Sequence, residues 1–194
     1  MKKTVLGILT MLMAVTALTG CNMLAKANGV ILYGEESEIV KAVEKEKDEL
    51  VKEEQHKIKI LDNNGHQVMI LSEKTADALV KKKLINEITN PEKAKIKAVS
   101  SLSKISNGKG LLFAKKELKE LNVDGKSLEI KYEGNLIIGE GRTYAEIFLI
   151  VTDEEWASLS GTEKTLAILE YDKDPSSKGL DYDVEKTQLV RIQD

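Results

Sequence analysis

Four stretches of this 194-residue chain share one pattern: a short apolar run passes almost without a loop into a charged, amphipathic segment. They are VILYGEESEIVKAV (30–43), VMILSEKTADALVKK (68–82), GLLFAKKELKEL (110–121) and IFLIVTDEEWASL (147–159), with starts 38, 42 and 37 residues apart. An apolar run of four or five residues bounded in this way reads as a strand, and the segment after it as a helix. Repeated strand-to-helix steps confine the chain to folds in which helices pack on sheets.

The helix starts have local support. Thr152-Asp153-Glu154-Glu155 has capping-box spacing, in which the threonine oxygen accepts from the N–H three residues on and the glutamate reaches back. Ser72 is placed to cap a helix from Glu73. The first helix is predicted over 35–54, with Ile39, Val40, Val43, Leu50 and Val51 as its apolar stripe and a gap in that stripe at Glu46 and Lys47.

Between the first two helices lies HKIKILDNNGHQVMIL, a hairpin. A two-residue type I′ turn at Asn64-Gly65 would pair Leu61 with Val68 and Ile60 with Met69. A three-residue loop, Asn63-Asn64-Gly65, would pair Ile60 with Val68, Ile58 with Ile70 and Asp62 with His66. The second is preferred, because it sets β-branched residues opposite one another and leaves Lys57 and Lys59 on the other face.

In chain order the elements read strand 30–34, helix 35–54, strand 56–62, strand 66–72, helix 73–84, an ambiguous stretch to about 105, strand 110–114, helix 115–121, strand 127–133, strand 143–152, helix 153–160 and strand 165–172. A last strand, 187–192, extends one sheet, and Leu136-Ile137-Ile138 is a possible short strand in the second hairpin. Each half then reads β-α-β-β-α-β, so the expected fold class is α+β, with two ferredoxin-like halves, 30–107 and 108–194, and mostly antiparallel sheets. A doubly wound parallel sheet is the alternative, disfavoured by the short hairpin, since parallel neighbours need a crossover.

The first twenty residues read differently. Lys2 and Lys3 make a positive start, and 5–18 carry no charge. That is the layout of an export signal, and its apolar run is shorter than the roughly 20 residues a spanning helix needs. It ends in Leu18-Thr19-Gly20-Cys21, with the chain's single cysteine last. This resembles the lipobox of bacterial lipoproteins. The resemblance implies that 1–20 are removed and that the Cys21 sulfur carries two acyl chains. One acyl chain gives only marginal membrane binding, and two hold firmly. No disulfide is available within a chain that has one cysteine. A lipidated tether over 21–29 would then join the membrane to the folded body.

Without 1–20 the chain keeps 27 basic and 32 acidic residues, a net charge of −5. That argues against nucleic acid, which calls for a basic face. The abundance of Lys and Glu and the lack of disulfides fit a Gram-positive surface better than a periplasm.

Candidate chemistry is sparse. His56 and His66 are the only histidines. His66 facing Asp62 across the hairpin would look like a base held by an acid, but no nucleophile is spaced beside it, and solvated strand-end residues are the plainer reading. Two histidines and an acylated cysteine make a poor zinc site. The loop 171–183 holds Asp172, Asp174, Asp181 and Asp183, but an EF-hand count from Asp172 puts Ser177 where the turn needs glycine. It reads as an acidic surface loop. Gly139-Glu140-Gly141 lacks the third glycine of a phosphate cradle and reads as a hairpin turn. Trp156 reads as a half-buried anchor, with a binding hot spot as the rival reading.

A second resemblance rests on 147–161 and 68–82, which look like segments of the extracytoplasmic domains of macrolide-exporter-type ABC permeases. It favours a role in a surface complex. The expectation is a lipid-anchored extracytoplasmic protein on the cell membrane, without catalytic residues, cofactor or metal, that binds or modulates an envelope protein. Its rivals are a small-molecule binder serving an ABC transporter and an envelope enzyme.

Overall fold

A computed structural model describes residues 26–193, apart from 93–94, 119–120, 122 and 124–127. Residues 1–20, expected to be an export signal, and Cys21 lie outside the described residues, as does the expected tether up to residue 25.

The elements are β1 (Gly29–Gly34), α1 (Glu36–Glu46), β2 (Leu50–Asn63), β3 (His66–Ser72), α2 (Glu73–Lys81), β4 (Ile85–Asn90), β5 (Lys95–Ala98), β6 (Lys109–Phe113), β7 (Glu129–Gly134), β8 (Leu136–Ile138), β9 (Ile147–Val151), α3 (Asp153–Ser158), β10 (Thr162–Tyr171) and β11 (Lys186–Val190). Short 3₁₀ turns occupy Lys47–Glu49 and Pro175–Lys178.

Eight strands form one sheet in the order β11-β1-β10-β2-β3-β9-β6-β7, and β5-β4-β8 form a second, antiparallel one. The fold is α+β and mostly antiparallel, with parallel pairs at β3/β9 and β6/β7. The expected pair of ferredoxin-like halves is not what forms. β10, from 108–194, is hydrogen bonded between β1 and β2, from 30–107, with Ile168 opposite Ile31 on one side and Glu54 on the other. Strands of both stretches share one sheet. The strand-to-helix steps at β1–α1, β3–α2 and β9–α3 match the local reading, but strand adjacency is a long-range property that local pattern does not carry.

Both faces of the large sheet are covered, which explains the fully buried pattern of β1 and β9. On one face Ile31, Tyr33, Met69, Leu71, Phe148 and Ile168 pack against Leu79 of α2 and Ile85 and Ile138 of the small sheet. On the other face Val30, Leu32 and Leu169 meet Ile39 and Val43 of α1. Further along that face Val68, Ile70, Leu149 and Val151 meet Leu159, just beyond α3, and Leu121.

This double cover also decides the hairpin. The observed register pairs Leu61 with Val68 and Ile60 with Met69, around a two-residue turn whose Asn64 and Gly65 have φ of 56° and 84°. The three-residue loop is therefore overturned. That choice assumed one solvated face, but each face has its own core, so gathering β-branched residues on one side brings no advantage. Turn chemistry sets the register instead.

The predicted helix 35–54 ends at Glu46, where its apolar stripe lapses. Leu50 and Val51 belong to β2, and Val51 is 64% exposed. No helix forms among the described residues of 115–121. The strand at 136–138 exists but joins β4 in the small sheet. The ambiguous stretch contains β5. Ser72 and Thr152 cap as expected, accepting from the N–H groups of Thr75 and Glu155 at 3.2 Å each. The Glu155 carboxylate, however, accepts from the Gly108 N–H at 3.2 Å and ties α3 to the start of β6.

Candidate functional site

α2 ends in the two backbone hydrogen bonds that close many helices. The Lys83 N–H donates to Val80 O at 3.0 Å and the Leu84 N–H to Leu79 O at 2.9 Å. The residue at the left-handed position of such an ending is usually glycine. Here it is Lys83, with φ 57°. Beyond it the chain turns into β4, and a cleft of about 310 Å³ opens, lined by Lys83, Leu84, Asn86, Ile96, Gly139 and Arg191 among others.

The floor of this cleft includes main chain and a side-chain amide. Gly139 has φ 62°, and a Cβ there would stand 2.8 Å from Val190 Cγ1 and 2.9 Å from Gln188 Nε2. The buried Asn86 side chain donates to Gly139 O at 2.9 Å. The Gly139 N–H donates to Leu84 O at 2.7 Å, and Gln193 N–H to Lys82 O at 3.2 Å, so the helix end, the 138–141 turn and the C-terminal segment are sewn together around the opening. Ile96 and Ala98 of β5 add an apolar wall, and Glu140 an acidic rim. Among the described residues neither Lys83 nor Arg191 has a carboxylate partner. The cleft presents two uncommitted cations, an amide and a short apolar surface, chemistry that suits a small anionic amphiphile.

The cleft adjoins the point where the chain enters the fold. Asn28 Nδ2 donates to Ile192 O at 3.1 Å, and the Ile192 N–H donates back to Asn28 Oδ1 at 2.8 Å. The Asn28 backbone also bonds Val190 O at 3.3 Å and the Tyr171 N–H at 2.8 Å. Arg191 and Gln193, on the cleft's rim, flank the residue that Asn28 holds.

Beneath the same end of α2 lies an ionic cluster. Lys82 is 4% exposed, with its ammonium 3.2 Å from Glu54 and 3.8 Å from Glu170. Lys52 adds a contact to Glu54 at 2.9 Å. Burial pushes the Glu54 carboxyl up, but Lys52 and Lys82 outweigh it and hold it below its ordinary value. His56 Nε2 lies 3.6 Å from Glu54. Burial holds the His56 imidazole below its ordinary pKa, against the pull of Glu54.

The residues weighed in the sequence are scattered. His66 meets Glu146, both exposed, rather than Asp62, whose carboxylate accepts from the Gly65 N–H at 3.1 Å and steadies the turn. His56 sits elsewhere, in the ionic cluster. In the acidic loop Asp174 accepts from the Ser176 N–H at 2.9 Å and starts a 3₁₀ turn, while Lys178 pairs with Glu46 and Glu49. Among the described residues no three His, Cys, Asp or Glu side chains gather as a metal site would. Gly139-Glu140-Gly141 makes a tight turn, with Ile138 bridged to Gly141. Trp156 is half-buried and its Nε1 donates to Ile70 O at 3.1 Å, as befits an anchor.

Sequence reasoning missed the cleft and both buried lysines, Lys59 and Lys82. One signal was present: Lys81-Lys82-Lys83 ends α2 without the glycine or asparagine that commonly closes a helix.

With the geometry in view, comparison adds two likenesses. The profile of an uncharacterised lipoprotein family matches residues 27–193. The fold is similar to a crystal structure described as "Putative Lipoprotein from Bacillus anthracis", with 25% identity, a TM-score of 0.77, and 86% of this chain and 100% of that one covered. No curated protein matches the chain.

Proposed function

The chain belongs to this uncharacterised lipoprotein family, and on that premise we propose that it is a lipid-anchored binding protein on the extracytoplasmic face of the cell membrane. In this reading 1–20 are an export signal, the Cys21 sulfur carries the acyl chains, and the body from Gly29 onward binds an envelope component without catalysing a reaction. The observation that carries it is the clamp on Asn28. The chain enters the fold only seven residues after Cys21, and its entry point is fixed to the Ile192 backbone at both N–H and C=O. An anchor at Cys21 would therefore hold one end of the sheet against the membrane. No helix among the described residues is long and apolar enough to cross a bilayer.

Two tests apply. Cys21→Ser should leave the leader unprocessed and abolish incorporation of a labelled fatty acid. A variant that is still processed and still membrane-bound overturns the anchor. Pull-down of the tagged protein from its own membranes should recover an envelope protein. Recovery of a small metabolite alone would favour the second reading, a small-molecule binder serving an ABC transporter. The volume of the Lys83–Arg191 cleft supports that reading, since it reaches the lower bound of roughly 300 Å³ for ligand pockets.

A further inference from the structure

We propose that the cleft between Lys83, Asn86, Gly139 and Arg191 binds the phosphate of a glycerolipid headgroup in the membrane that carries the anchor. This rests on the lipid-anchored reading above, and it names the ligand class of the Lys83–Arg191 cleft.

The first argument is position. Cys21 and Asn28 are seven Cα steps apart, so even fully extended they are separated by about 25 Å. Asn28 is bonded through side chain and backbone to Ile192 and Val190, the two neighbours of Arg191. The rim of the cleft is thus tied directly to the point where the tether leaves the fold, within reach of the headgroup layer.

The second argument is chemistry. Arg191 offers a planar set of donors that suits a phosphate, and Lys83 a second, mobile cation. Neither is neutralised by a described carboxylate. Gly139 brings bare main chain to the lining, its Cα packed so closely on Val190 and Gln188 that no Cβ fits there. Leu84, Ile96 and Ala98 give a short apolar wall for the glycerol carbons, and the volume fits a headgroup rather than acyl tails. Glu140 on the rim adds a negative charge, which disfavours a dianionic monoester and tolerates a singly charged diester bearing hydroxyls. Overall charge does not supply this attraction. The body is net negative, so an anionic bilayer repels it as a whole and any binding must be local.

The third argument is backbone strain. Lys83 occupies a left-handed conformation in which glycine is more stable. Strain of this kind is retained where the side chain has a task, and the Lys83 side chain lines the cleft.

The test uses the full mature chain, 21–194, with Cys21→Ser so that no acyl chain contributes. Co-sedimentation is measured on phosphatidylcholine vesicles with and without 30 mol% phosphatidylglycerol, with glycerophosphoglycerol and inorganic phosphate as soluble competitors. Binding only to the anionic vesicles is expected, with at least a fivefold loss in Lys83→Gly and in Arg191→Gln. Lys83→Gly should melt at a higher temperature than its parent, so its loss of binding cannot be ascribed to misfolding. Binding that both substitutions leave unchanged overturns the site. Binding of the soluble phosphates without any vesicle binding overturns the lipid assignment. The Cys21→Ser fractionation in cells reports on the anchor separately, because the vesicle assay contains none.

Discussion

The Lys59 ammonium lies 4.4 Å from the centre of the Trp156 ring and donates to the main-chain oxygens of Trp156 and Leu159, at 2.8 and 2.7 Å. One side chain of β2 thus closes the C-terminus of α3, where the helix leaves carbonyls unpaired and the dipole favours a cation. A lysine in the middle of a strand here acts as the cap of a six-residue helix.

Lys59→Met keeps much of the stem's volume and removes the charge and both hydrogen bonds. Hydrogen bonds from a charged donor contribute about 1.5–3 kcal/mol, so a loss of about 2 kcal/mol is expected. Trp156 is the chain's single tryptophan, which makes urea unfolding followed by its fluorescence a direct measure. A variant with unchanged stability and unchanged emission would mean that the α3 carbonyls are equally well served by water.

Acid should weaken the fold in two stages. The His56 imidazole titrates below its ordinary value in the folded chain, because burial disfavours its cation. As pH falls through 6.5 the unfolded chain takes up a proton that the folded chain refuses, so stability declines until the folded group also titrates. Glu54 is held low chiefly by Lys52 and Lys82, against burial. Its contribution is complete above the ordinary glutamate value and disappears as pH falls through the folded one. His56→Gln should flatten the first decline, whereas Glu54→Gln should flatten the second and deepen the first, because it removes the charge that pulls the His56 pKa up. Thermal melts from pH 7.5 to 3.5 separate them. A first decline of equal slope in wild type and His56→Gln would remove His56 from the account.

What the sequence revealed and what it hid have a common cause. Ser72 and Thr152 act over three residues, and the chain spells them out; the Asn64-Gly65 turn is as local, but the register preferred on cross-strand pairing was the wrong one. The burial of Lys59 and Lys82 does not follow from their neighbours in sequence. It follows from α3 lying across β2 and from α2 ending above Glu54 and Glu170, contacts between elements far apart in the chain. The helix predicted through Leu50 and Val51 failed for a related reason: those residues extend β2 beside β10, with Tyr171 opposite Leu50. The cleft was hidden most thoroughly, because its lining comes from four separate stretches.

Gly139 offers a sharp check on that cleft. Its positive φ is strained for any L side chain, and a Cβ there would stand under 3.0 Å from Val190 and Gln188. Gly65 also has positive φ, but open space surrounds it. Gly65→Ala should therefore cost about 1 kcal/mol from conformation alone. Gly139→Ala should cost about 2–3 kcal/mol, adding overpacking to the same conformational penalty. Paired chemical denaturation of the two variants measures the difference. Equal losses would show that the 138–141 turn shifts freely and that the floor of the cleft is soft.

Asn28 stands just before β1, and its side chain meets both the N–H and the C=O of Ile192. Asn28→Ala removes two hydrogen bonds at about 1 kcal/mol each, and leaves a partly buried N–H and C=O on Ile192 to find water. A loss of about 2 kcal/mol is expected. It should be concentrated at the β1–β11 edge, where Val30 pairs with Leu189, rather than spread through the sheet. Hydrogen exchange distinguishes these: amides of 186–192 should exchange faster while those of β3 and β9 keep their protection. The Arg191 rim of the cleft would loosen with them, so phosphatidylglycerol binding should fall in this variant even though Asn28 touches no ligand. Faster exchange at the edge with undiminished vesicle binding would separate the clamp from the cleft and leave Asn28 a purely structural joint.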